Sequence, residues 1–192
     1  IDLNEVYAGL QIQLLTYMDA VCKEEDLMPA GVLYFSLLEQ MIKADKKITE
    51  EQIEEELRKN FKMKGLILAD VKVIKMHDKN LESGTSKLIP ATLTKSGDIS
   101  EAKTNGVNKE EFEILQNYIY RTIKQIAKEI LTGNINIKPY NKKGKKPCDY
   151  CSYKAICGFD TRICGNNYNY IDKKSKDDII RKMKASEKSL QL

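Results

Sequence analysis

The chain has 192 residues, 42% of them hydrophobic and 31% charged, with a formal net charge of +4. That is enough apolar material for the core of one modest domain. No run reaches the roughly 18 apolar residues of a spanning helix, and no basic start leads into an apolar secretory core. The composition thus excludes a membrane protein and predicts a cytoplasmic one.

Charge is unevenly spread. From Asn134 to Leu192, 14 Lys or Arg stand against six Asp or Glu, whereas Ile1 to Gly133 carries 18 against 22. The basic end, with Lys138, Lys142, Lys143, Lys145, Lys146 and Lys154, has the composition that attracts a phosphate backbone through counterion release. The alternative is a solvated basic tail.

Leu3, Val6, Tyr7, Leu10, Leu14, Tyr17, Met18 and Val21 recur at three- and four-residue steps, which predicts a helix from about Leu3 to Lys23. Gln13 shares that face beside Tyr17. Pro29 and Gly31 break the pattern, and the run Val32 to Leu38 predicts a buried strand. Thr49 with Gln52 is a capping box opening a charged helix to about Asn60. In Leu66 to Met76 the β-branched Val71, Val73 and Ile74 favour strand, while Ala69 and the apolar run leave helix open, and Leu88 to Leu93 is a second strand candidate. Ser83-Gly84 and Lys95-Ser96-Gly97-Asp98 read as turns. Asn108 and Glu111 cap the best-formed helix, whose apolar stripe runs through Phe112, Leu115, Ile119, Ile123, Ile126 and Ile130 to Gly133. Ile135 to Pro139 alternates like a short edge strand, and a polar helix is expected from about Lys176 to Leu190.

The sharpest chemical signal is Cys148, Cys151 and Cys157, a Cys-x2-Cys-x5-Cys run behind the basic stretch. Thiolates at such spacing can turn back on one centre, zinc or iron–sulfur, and outside a secretory setting they read as ligands and not as disulfides. Both centres usually take four ligands. The fourth would come from Cys164, from Cys22, or from residues outside this sequence.

The segment Gly9 to Tyr17, with its Gln-x3-Tyr element, resembles the helix after the catalytic strands of RecB-type nucleases in the PD-(D/E)xK superfamily. Gly133-Asn134-Ile135, Ile137 to Tyr140 and Pro147 to Asp160 resemble the carboxy-terminal end of the AddB family, the helicase/deoxyribonuclease B subunits of AddAB complexes. With Pro29 to Phe35 and Ile89 to Leu93, the resemblance spans nearly all of Ile1 to Asp160.

The resemblance implies an α/β chain, part of a restriction-endonuclease-like fold with a mixed sheet flanked by helices and an irregular Cys-rich C-terminal segment. Residues 1–133 would be a partial RecB-type nuclease domain, 134–165 a basic iron–sulfur segment, and 166–192 a polar, helical tail. Cys148, Cys151 and Cys157 match three ligands of a four-iron four-sulfur cluster whose fourth Cys lies upstream of Ile1, and Cys22 and Cys164 match none. Gln13 and Tyr17 would stand at the active-site edge. The magnesium-binding Asp and the Asp-Tyr-Lys strand would likewise precede Ile1, so the chain alone is expected to be inactive. Asp70-Val71-Lys72 carries the letters in the wrong order and reads as an exposed strand edge. The implied whole is an ATP-dependent exonuclease subunit, partner of an AddA helicase–nuclease, which processes double-strand DNA ends for recombinational repair, with Lys142, Lys143, Lys145 and Lys146 meeting DNA. Two alternatives stay open on the sequence: a stand-alone iron–sulfur exonuclease of the CRISPR-associated type, and a zinc-stapled nucleic-acid-binding module.

Overall fold

The computed structural model describes residues 1–37 and 49–188 of the chain. In chain order the elements are α1 (Leu3–Tyr7), α2 (Gln13–Glu24), β1 (Gly31–Tyr34), α3 (Glu50–Asn60), β2 (Lys64–Leu68), α4 (Val71–His77), β3 (Gly84–Thr85) and β4 (Thr92–Leu93). They continue with β5 (Gly106–Val107), α5 (Lys109–Leu131), β6 (Tyr140–Asn141), a 3-10 turn at Pro147–Tyr150, α6 (Lys154–Cys157), β7 (Asn169–Tyr170) and α7 (Lys176–Lys188). The chain divides into one unit of Ile1 and Gln13–Gln116 and another of Asp2–Ile12 and the residues from Asn117 onward.

The first unit is built on a mixed sheet in the order β1-β2-β5, with β1 antiparallel and β5 parallel to β2. Gly65 is demanded by that pairing, since a Cβ there would lie 1.9 Å from the Val32 carbonyl oxygen. Ile67, Ile74, Leu81, Ile89, Ala91 and Leu93 bury together, and Leu33, Met63 and Ile99 pack against them. One polar hub sits inside. The Ser86 hydroxyl donates to the Asp78 carboxylate at 2.7 Å and accepts from the Leu88 and Ile89 amides at 3.0 and 3.1 Å, so the turn before β4 leaves none of these groups orphaned.

Capping chemistry places two helices where the sequence puts them. Thr49 and Gln52 form the reciprocal box at the start of α3, which ends at Asn60. Asn108 accepts from the Glu111 amide at 2.8 Å while the Glu111 carboxylate accepts from the Asn108 amide at 2.7 Å, opening α5.

Elsewhere the structure corrects the sequence reading. The single helix from Leu3 to Lys23 is two helices, because Gly9 and Gln11 adopt left-handed backbone, with φ of 80° and 50°. The predicted strand Val32 to Leu38 is the shorter β1, and Leu38 lies outside the described residues. Leu66 to Met76 is a strand followed by a helix. The Asp70 carboxylate accepts from the amides of Lys72 at 2.7 Å and Val73 at 3.3 Å, so this aspartate is the N-cap of α4 and not a strand edge. Residues 135–139 are irregular, and the strand starts after Pro139, as β6.

In the second unit α7 packs on α1, with Leu3, Val6, Ile179 and Met183 buried. The helix expected at the C-terminus is therefore apolar on one side, and the last two residues of its expected span lie outside the described ones. Tyr7 stacks on Tyr118 with centroids 5.6 Å apart, and the Tyr118 hydroxyl donates to the Tyr7 carbonyl at 2.6 Å. β6 and β7 pair in parallel, which closes the base of the loop that carries the basic run and four of the five cysteines.

Candidate functional site

In the first unit α2 begins at Gln13. Its inward line is Leu15, Met18, Asp19 and Cys22, the three- and four-residue spacing of one helix face, with Leu15 fully buried. Gln13 and Tyr17 therefore point the other way, and Tyr17 is 59% exposed. Val21, also assigned to the packed face by sequence, is exposed as well. The structure does bring the predicted pair together: the Gln13 amide donates to the Tyr17 phenol oxygen at 2.9 Å. A phenol whose oxygen accepts a bond is polarised as a donor, and its hydrogen is directed away from Gln13. An exposed amide–phenol pair of this kind can orient a phosphate oxygen or a water molecule.

Asp19 and Cys22 belong to the same helix but to its inner side. Lys23 bridges Asp19 at 2.7 Å, and the other carboxylate oxygen is buried without a hydrogen-bond partner. Burial, and then the Asp19 charge, push the Cys22 thiol above its ordinary pKa. Cys22 lies half-buried on the inward line of α2, where a free cysteine packs as a small apolar residue.

In the second unit the four candidate lysines have separate fates. The Lys142 ammonium bridges Asp2 at 2.8 Å and also Glu5, tying the loop to α1. These two acids raise its pKa. Burial pushes the Asp2 carboxyl up, but hydrogen bonds from Lys142 and Asn4 outweigh it and hold the pKa at about 2. Lys146 lies over the Tyr168 ring, 5.3 Å from its centroid. Lys143 and Lys145 flank Gly144 at the exposed tip.

Cys148 lies in the 3-10 turn, Cys151 caps it, and Cys157 ends α6. All are free thiols; Cys151, Cys157 and Cys164 are exposed and Cys148 is half-buried. The donor chemistry, three free thiols at close spacing, suits a thiolate-bound centre. Among the described residues no group of three or more His, Cys, Asp or Glu is gathered so that it could hold a metal ion. What organises the segment is aromatic. Tyr168 meets Phe159 edge-on at 5.1 Å, and burial and then the neighbouring Cys148 raise its hydroxyl pKa. Sequence reasoning missed Phe159 and Tyr168; the one available signal was aromatic residues on both sides of Cys164 in a stretch otherwise poor in apolar side chains.

Known proteins are similar to this chain along most of its length. The family model described as the PD-(D/E)XK nuclease superfamily matches residues 2–158. Relatives named as the B subunit of an ATP-dependent helicase/deoxyribonuclease include those of Clostridium botulinum strain Hall, 46% identical over 189 residues, and Clostridium kluyveri, 43% identical over 183 residues. That of Acetivibrio thermocellus is 41% identical over 191 residues. The alignments cover 94%, 92% and 96% of this chain, and 16% of each relative's length.

Proposed function

Because the chain belongs to the PD-(D/E)XK nuclease superfamily, we propose that it is part of the nuclease module of an ATP-dependent helicase/deoxyribonuclease, in the B subunit, which degrades double-strand DNA ends for recombinational repair. The observation that carries the reading is the similarity at 41% to 46% identity along nearly the whole chain to proteins of that name. That this chain spans 16% of their length supports a role as one part of a large subunit over a small stand-alone exonuclease. A helicase–nuclease of the AddA kind is the partner, linear DNA the substrate and the cytoplasm the compartment under this reading.

Gln13 and Tyr17 are positioning residues in this proposal. The amide orients the phenol, and the phenol orients a phosphate oxygen or the attacking water. Magnesium in such nucleases would activate water and offset developing charge. Cys148, Cys151 and Cys157 are proposed to ligate a four-iron four-sulfur cluster, a reading supported by their spacing and by their freedom from disulfides. Of the basic loop, Lys143 and Lys145 are proposed to meet the DNA backbone.

The test uses the long protein that carries this chain, with its helicase partner, ATP, Mg2+ and DNA labelled at its ends. Degradation of linear duplex with closed circles spared is expected. No cleavage, or cleavage indifferent to ends, would overturn the reading.

A further inference from the structure

The stripe of α5 is half covered. Phe112, Leu115 and Ile119 are buried, at 0%, 0% and 1% exposure. Ile123, Ile126 and Ile130 continue the same line at steps of four, three and four residues, and at 100° per residue they fall within a narrow arc about the azimuth of Ile119. Yet they are 37%, 43% and 72% exposed, and from Ile123 to Leu131 no residue of the helix is buried. Lys124, Gln125 and Lys128 lie on the opposite side of the helix.

Single exposed apolar residues are ordinary, but a contiguous apolar stripe extending from a buried one marks an interaction surface. Its four-three-four spacing and β-branched side chains suit a second helix packing alongside. The length of the relatives indicates the occupant: the chain matches 16% of them, so most of such a polypeptide lies outside these 192 residues.

We infer that the Ile123, Ile126 and Ile130 face of α5 is a docking site for an apolar helix from the same long polypeptide, lying outside residues 1–192. The inference rests on the reading of the chain as part of a long subunit and on none of that protein's chemistry. The covered face would extend the buried stripe of α5 by three turns and hold the helix against a neighbouring part of the polypeptide.

The experiment places a photo-cross-linking benzoylphenylalanine at Ile126, and separately at Lys128 as a control, in the purified long protein. The expected product from Ile126 is an intramolecular cross-link to a peptide outside residues 1–192, at least five-fold more abundant than from Lys128. A cross-link to a second copy, to a peptide within residues 1–192, or to none would overturn the inference. A second variant, Ile126→Asp with Ile130→Asp, is expected to lower the melting temperature of the long protein by several degrees and to increase proteolysis at Leu131. An unchanged melting temperature and cleavage pattern would count against the inference. DNA cleavage is not the readout, so loss of the nuclease reading and loss of the docking reading are separately visible.

Discussion

Replacing Gln13 by Ala, or Tyr17 by Phe, separates a positioning role from a structural one because the two roles predict effects of different size. The 2.9 Å bond joins residues four apart on an exposed helix face. Such pairs contribute about 0.2–0.5 kcal/mol to a helix, since water competes for both partners. Tyr17→Phe keeps the ring, which is itself largely exposed, so little packing is lost either. Stability should thus fall by no more than about 0.5 kcal/mol in either variant. If the phenol donates to a phosphate oxygen or to the attacking water, its loss removes a hydrogen bond to a charged or charging group, worth about 1.5–3 kcal/mol. That is roughly a 10- to 150-fold fall in the cleavage rate. Gln13→Ala, acting through the phenol, should cost less than Tyr17→Phe. The assay is single-turnover cleavage of end-labelled duplex by the long protein with its partner, with ATP hydrolysis as the control expected to stay unchanged. Cleavage within two-fold of wild type for Tyr17→Phe would refute the reasoning, as would a stability loss large enough to account for the rate.

Asp2 links the basic loop to acid stability. Its folded pKa of about 2 lies below the ordinary 3.8, so its contribution is present above about pH 4 and is lost as pH falls towards 2; the near-ultraviolet signal of the Tyr7–Tyr118 stack should weaken in that window, and a Lys142→Ala variant should weaken at higher pH. For DNA, charge reversal of Lys143 and Lys145 should flatten the dependence of log K on log salt by about 1.4 to 1.8, the counterions of two phosphates; an unchanged slope would show that the tip is merely solvated. For iron, Cys148→Ala, Cys151→Ala and Cys157→Ala should each strip the metal and the broad visible absorbance from the long protein, while Cys164→Ala and Cys22→Ala should not; loss of iron in Cys164→Ala would place the fourth ligand inside this chain.

What was legible in the sequence was local. The Thr49–Gln52 and Asn108–Glu111 boxes are satisfied within four residues, so no tertiary partner can overrule them. Where a distant partner decides, the pattern misled. The Leu3 to Val21 periodicity was real as spacing, but Leu15 took the core position, and Tyr17 and Val21 turned outward. The Val71, Val73 and Ile74 run carried strand propensity, yet the Asp70 carboxylate stood within reach of two backbone amides, and the cap won. Gln13 and Tyr17 meet because a four-residue spacing is itself a contact on a helix, whichever way that helix faces, while their place in a site comes from the resemblance alone.

The lysines show the same division at the candidate interface. Counting charges treats Lys142, Lys143, Lys145 and Lys146 as one patch, four neighbours available to four phosphates. The fold distinguishes them. Lys142 meets Asp2 and Glu5 across most of the length of the chain, a pairing that no spacing rule could reveal. To reach DNA it would have to break both bridges, and that loss would offset what a phosphate contact returns. Lys146 would have to leave the Tyr168 face that orders the loop beside Cys148. Lys143 and Lys145 carry no such cost at the exposed tip of the turn. A basic run can therefore do two jobs at once, its outer residues offered to a phosphate backbone and its inner ones fastening the segment that offers them.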